Sequence, residues 1–225
     1  MVAGGDGMRI KTRWLLCLTL LLCTVLGCAS ARADYQSLCA QRGISGDDLI
    51  AWIEIPGASL LEPIMRHPAD DAYYAKHDPA GKERSAGSLY VQASYNTAGF
   101  EDPVTLVYGS SESEIAPFGM LQELYSGSYD ACRSIYLHLP EKTVEYAAFA
   151  AVPFSSLHIL HYYDFSNARR YSQFFDSVFS TRVLSMHLDE NNRPEAGRDR
   201  VLILSTALRG DSLQRYLVMA KPVSR

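Results

Sequence analysis

The chain has no excess of positive charge: 21 Lys and Arg stand against 25 Asp and Glu, for a net charge of −4. Binding to a phosphate backbone needs clustered cations that displace counterions, so nucleic acid is excluded as the expected partner. Cysteine is scarce. Of five cysteines, Cys17, Cys23 and Cys28 fall in one N-terminal apolar run, which leaves only Cys39 and Cys132 beyond it. Their separation fits no metal-ligand spacing, and they are read as two separate thiols in preference to a disulfide. Internal repeats and low-complexity linkers are missing as well, which excludes a solenoid or an array. No cofactor and no metal is expected.

What is there begins with a targeting segment. Arg9, Lys11 and Arg13 form a positive flank, and residues 14–31 then carry no charge at all, the pattern of an export signal. Three fates are open. Ala31-Arg32-Ala33 offers a small-x-small cleavage site, the run approaches the ~20 residues that span a bilayer, and Val25-Leu26-Gly27-Cys28 resembles a lipid-attachment box with a poor second residue. Each places the remainder outside the cytoplasm. The chain is therefore divided into 1–33, a signal peptide or N-terminal membrane anchor, and 34–225, long enough for one domain with its own core. A composition of 48% hydrophobic and 20% charged residues is that of an ordinary globular protein.

Residues 35–51 are read as a helix, with Leu38, Ile44 and Leu49 apolar and Asp47-Asp48 placed to cap a second turn. Strand-like runs follow at 51–55, 88–92, 103–108, 134–139, 143–151, 182–187, 200–205 and 215–221. Turn chemistry such as Pro56-Gly57 and Asp78-Pro79-Ala80-Gly81 separates them. So many short strands point to a barrel or a sandwich. Two segments break the pattern: a short helix over 118–125, and a helix over 167–179 in which Tyr171, Phe174, Phe175, Val178 and Phe179 recur at three- and four-residue steps. That stripe is read as core packing against the sheet, not as a ligand platform.

Several motifs then line up. Residues 48–57 carry Trp52 on a strand before the Pro56-Gly57 turn; Glu62-Pro63-Ile64-Met65, Tyr73-Tyr74 with His77-Asp78, and Ala86-Gly87-Ser88-Leu89-Tyr90 follow. The series continues through Leu106-Val107-Tyr108-Gly109, Phe118-Gly119-Met120-Leu121, Leu202-Ile203-Leu204-Ser205-Thr206 and Arg215-Tyr216-Leu217. In this order and spacing the chain resembles the class B sortases over residues 35–225. The resemblance implies a mainly β fold: an eight-stranded β-barrel with an N-terminal helix and peripheral helices, held on the outer face of a Gram-positive type membrane. It also implies an activity, in which a sorting motif near the C-terminus of an exported protein is cut and its acyl group passed to an amine of the cell wall or a pilin. A cysteine thiolate attacks, a histidine protonates the leaving amine, and an arginine steadies the substrate and the developing oxyanion.

The chain departs from that pattern at the reacting positions. Ser110 follows Tyr108-Gly109 where the family has its histidine, and Ala207 follows Ser205-Thr206 where it has its cysteine; Arg215 matches the family arginine. Alanine has no heteroatom to acylate, and losing a nucleophile or its base lowers turnover by on the order of 10⁴ to 10⁶. A hydroxyl at Ser110 or Ser111 needs an adjacent base, which is the residue replaced.

The expectation is thus an exported sortase B-like pseudoenzyme of the cell envelope. It binds an extended sorting-signal peptide or an exported envelope protein, an active sortase or a pilin being the partner types considered, with Ser205, Thr206 and Arg215 shaping the groove. Membrane contact is expected only through an uncleaved N-terminal segment. Two other readings stay open: a transpeptidase or peptidase with a non-standard nucleophile, and a structural envelope domain. His67, His77, His138, His158, His161 and His187 are read as structural. His158 and His161, three apart in the stretch that borders the groove in sortases, stand out most but lack further metal ligands. The acidic loop over 111–114 is read as a solvated tip.

Overall fold

The computed structural model describes residues 34–112, 116–183 and 186–223, and among these it contains nine β-strands and four α-helices. The strands are β1 (Leu49–Ile55), β2 (Leu60–Met65), β3 (Leu89–Tyr90), β4 (Val104–Tyr108), β5 (Ser134–His138), β6 (Thr143–Ser155), β7 (His187–Leu188), β8 (Val201–Leu208) and β9 (Asp211–Pro222). The helices are α1 (Tyr35–Arg42), α2 (Leu121–Gly127), α3 (Ile159–Tyr162) and α4 (Ala168–Ser180). Residues 1–33, expected to be a signal peptide or membrane anchor, lie outside the described residues, and with them Cys17, Cys23 and Cys28. Residues 34–225 form one compact unit. Among the described residues no helix is long and apolar enough to cross a membrane.

Strand neighbours run β5–β1–β2–β3–β4–β8–β9–β6, and a β6–β5 pairing closes the ring into an eight-stranded barrel, with β7 added beside β6. β6 serves three neighbours because it is long: it pairs β5 over Thr143–Ala147, β9 over Tyr146–Ser155, and β7 at Ala150 and Ala151. Closure leaves no unpaired edge on the ring.

Side chains alternate between two cores. Val107, Leu202, Leu204, Tyr216 and Val218 fill the barrel interior together with Ile53 and Ile55. Leu106, Ile203, Leu217 and Met219 face outward and are covered by Tyr171, Phe174, Phe175 and Val178 of α4. Helix α4 begins where the Asn167 side chain accepts the N–H groups of Arg169 and Arg170, so the expected amphipathic helix is both capped and packed as its spacing implies.

Elsewhere the local expectations change. The first helix stops at Arg42, because Gly43 adopts φ 64° and turns its N–H back to Cys39 O; Leu49 to Ala51 belong to β1 instead. β2 went unread as a strand. Its Pro63 sits opposite Trp52 of β1, beyond the short β3 pairing at Ile64 and Met65, where a missing N–H costs no ladder bond to β3. The run 88–92 shortens to Leu89–Tyr90; of the run 182–187, His187 is strand, residues 184–185 lie outside the described residues, and Arg182 turns back to the carbonyls of Phe179 and Thr181 at the end of α4. The 118–125 helix starts later, at Leu121. Cys39 and Cys132 are both free thiols.

Candidate functional site

β4 and β8 run parallel, with Tyr108 opposite Ser205, so the two strands end together at one rim of the barrel. Gly109 continues the ladder by donating its N–H to Ser205 O at 3.1 Å. A Cβ here would lie 2.4 Å from Phe118 Cδ2 and 2.5 Å from Leu89 Cδ2, so only glycine lets the chain pass. Ser110 is held next: its carbonyl accepts the Phe118 N–H at 2.9 Å, and its Oγ accepts the Glu112 N–H at 3.2 Å. Ser111 Oγ donates to Ala207 O at 3.0 Å, which ties the loop to β8. The β8–β9 register sets Ala207 opposite Arg215.

These residues surround a cleft of ≈ 290 Å³, lined among others by Lys76, Tyr90, Tyr108, Ser110, Ala207 and Arg215. The Arg215 guanidinium donates from Nε to Ser205 Oγ at 2.6 Å and from Nη2 to Ser205 O at 3.3 Å. Its Cζ lies 5.3 Å from the Tyr108 ring centroid, and Tyr108 stacks on Tyr90 at 5.4 Å. Burial weakens the hold of Arg215 on its proton, although the neighbouring Tyr108 and Tyr90 act the other way. An arginine keeps its charge through such a perturbation. Burial likewise pushes Tyr90 and Tyr108 above the ordinary phenol range, so both rings are neutral walls at neutral pH.

Ser110, Ala207 and Arg215 are therefore brought together, while Ser205 and Thr206 take other places. Side-chain alternation puts Ser205 on the face of Ala207 and Thr206 on the opposite one. Ser205 is wholly buried beneath Arg215, where it acts through the guanidinium. Thr206 is wholly buried opposite Tyr216 inside the barrel, and its Oγ1 has no hydrogen-bond partner among the described residues. Of the three residues expected to shape a groove, Arg215 is among those that line this cleft, and Ser205 and Thr206 are not. Tyr90, Tyr108 and Lys76 were not assigned to the site, although the first two end recognisable strand motifs and so sit at the same rim. The loop at 111–114 also differs from a solvated tip at its base: Ser111 is buried, whereas Glu112 is exposed and Ser113 and Glu114 lie outside the described residues.

The histidines are engaged elsewhere. His67 and His77 stack on Tyr73 at 4.4 and 3.9 Å. His138 is fully buried, between Glu54 Oε2 and Thr143 Oγ1 at 3.0 Å each. His187 stacks on Tyr129. His158 caps α3 by accepting the His161 N–H, and His161 Nδ1 lies 3.4 Å from Tyr95 OH. Among the described residues none of them lines the cleft, and no group of three His, Cys, Asp or Glu is placed to hold a metal ion.

Neither a protein-family model nor a curated protein matches the chain. Solved structures do. A Clostridium perfringens sortase B is 19% identical with a TM-score of 0.65, covering 79% of this chain and 94% of its own. A Staphylococcus aureus sortase B–substrate complex is 20% identical with a TM-score of 0.68, covering 86% and 87%. Sortase B from Listeria monocytogenes is 22% identical with a TM-score of 0.64, covering 77% and 94%. The fold is sortase B-like. The eight-stranded barrel with peripheral helices, expected from the motifs, is thus found both in the strand order and in the neighbours.

Proposed function

We propose that this sortase B-like protein is a non-catalytic binder of extended peptides, exported to the cell envelope, whose cleft receives the sorting-signal segment of an exported protein. The observation that carries the reading is the company Arg215 keeps: at the shared rim of β4 and β8 its neighbours are Ala207 and Ser110, and among the described residues the lining contains neither thiol nor imidazole. An acyl intermediate at Ala207 has no atom to form on. A serine route is weakly supported. Ser111 commits its hydroxyl hydrogen to Ala207 O, and Ser110 Oγ accepts the Glu112 N–H, which draws density from the oxygen that would attack. The structural neighbours include a sortase B–substrate complex and a sortase B complexed with triglycine, which supports a peptide as the occupant.

The test is cleavage and transfer of sorting-motif peptides to amine acceptors by the natural protein and by a Ser110→His plus Ala207→Cys double variant. Turnover by the double variant alone is the expected result. Turnover by the natural protein would overturn the proposal and call for a hidden nucleophile, and turnover by neither would favour a structural role.

A further inference from the structure

Arg215 is a partly buried cation with no carboxylate partner among the described residues. Its donors on Nε and Nη2 go to the hydroxyl and carbonyl of Ser205, both neutral, and no ion pair to it exists among the described residues. A guanidinium has five N–H donors, so in this cleft-lining residue Nη1 and the second hydrogen of Nη2 are left without a protein acceptor among the described residues. Withdrawing a charge from water without a counter-charge is costly, and an anionic ligand removes that cost. The walls beside it cannot supply the charge, because Tyr90 and Tyr108 are neutral phenols. Lys76 adds a second cation to the same lining, against one carboxylate among the described residues, that of exposed Glu112.

Two further features fit an anion. Ala207, directly opposite Arg215, presents only a methyl group, so the space next to the guanidinium is open to a ligand group. Ser110 Oγ accepts from the Glu112 N–H and lines the cleft with its own hydrogen still to donate. A peptide carbonyl inside a chain offers this cluster one neutral acceptor. A terminal carboxylate offers two oxygens to the guanidinium fork, a full negative charge, and a lone pair for Ser110.

The geometry points to a cleft that captures the free C-terminal carboxylate of an extended peptide, with Arg215 and Ser110 as the carboxylate donors. This rests on the peptide-binding reading above and narrows it to chain ends, such as a peptide already cut, rather than an uncut internal bond.

The experiment uses the full chain and an array of pentapeptides tethered by their N-termini, each made once as the free acid and once as the carboxamide. Acids binding about tenfold or more tighter than their amides, with the preference lost in Arg215→Gln and with acetate ion alone a weak competitor, is the expected result. Because the acid–amide comparison is made on the natural protein, it holds even if the variant folds poorly. Equal binding of acid and amide overturns the carboxylate inference and leaves the peptide-binding reading standing. Binding of neither overturns both. Acetate displacing the peptides at matched concentration overturns it too, because the site would then recognise an anion and no peptide.

Discussion

Arg215 reaches back along β8 to Ser205, two residues before its own register partner Ala207, and donates from Nε to the serine oxygen at 2.6 Å. The long side chain thereby lies flat over the outer face of the strand pair, its planar head against the Tyr108 ring, instead of extending into water. Ser205→Ala removes the hydroxyl acceptor and leaves the carbonyl contact. A hydrogen bond to a charged group is worth about 1.5–3 kcal/mol, so thermal denaturation is expected to show a loss within that range. Peptide affinity should fall as well, since the guanidinium is then held only through Nη2 and the Tyr108 ring. An unchanged melting temperature together with unchanged peptide binding would show that Ser205 does not position Arg215.

Gly109→Ala tests how closely the rim is built. The added methyl group meets Phe118 and Leu89, both buried and packed in the interior cluster, well inside contact distance. Overpacking of this kind costs about 1–3 kcal/mol, and relief requires the 109–111 segment to shift with Ser110 on it. Urea denaturation is expected to show the loss. Gly127→Ala is the control, with nothing within 4 Å of its added methyl group.

How much of this was legible before the structure depends on the range over which each signal acts. The α4 stripe from Tyr171 to Phe179 was readable because helical periodicity is local, and the buried runs of β8 and β9 were readable for the same reason. The first helix was overextended past Gly43, a residue whose left-handed conformation ends a helix and whose presence in the sequence was signal enough. β2 was hidden by Pro63, which is tolerable only because β3 is too short to need that N–H, a fact of sheet order. At the site, the motifs located Ser110, Ala207 and Arg215 at one rim. They did not locate facing: Ser205 and Thr206 are adjacent on a strand, so the two hydroxyls could never share one groove, and period-two alternation was the available clue. The tyrosine wall needed tertiary structure, since Tyr90 and Tyr108 come from strands joined only through their pairing in the barrel.

Cys132 is fully buried, and burial pushes its thiol above the ordinary range, so the reactive thiolate is suppressed in the folded protein. Cys39 is partly exposed, so a reagent can reach its sulfur in the folded protein. Titration with a thiol-selective reagent at mildly alkaline pH is expected to label Cys39 readily and Cys132 only once denaturant is added. Equal labelling rates in the native protein would mean that the core around β5 opens easily.

Tyr146 allows the sign of an alkaline transition to be worked out. Burial, joined by the charge of Glu101 and opposed by Arg200, raises its phenol from the ordinary 10.0 to about 12. Below pH 10 the group is protonated in both folded and unfolded chains, so its contribution to stability is fully present and does not vary with pH. Above pH 10 the unfolded chain loses the proton while the folded chain keeps it until about pH 12. The unfolded state then binds fewer protons, and stability must fall as pH rises, by up to about 1.4 kcal/mol per pH unit from this one residue. Other buried tyrosines shift the same way, so the whole protein should denature more steeply than a single group allows. Tyr146→Phe removes one titrating group while keeping the ring in the barrel core. Denaturant midpoints measured from pH 9 to 12 should decline less steeply in that variant, by about the single-group slope. Parallel curves for the two proteins would mean that Tyr146 ionises with its ordinary affinity and that the barrel admits hydroxide or water at β6.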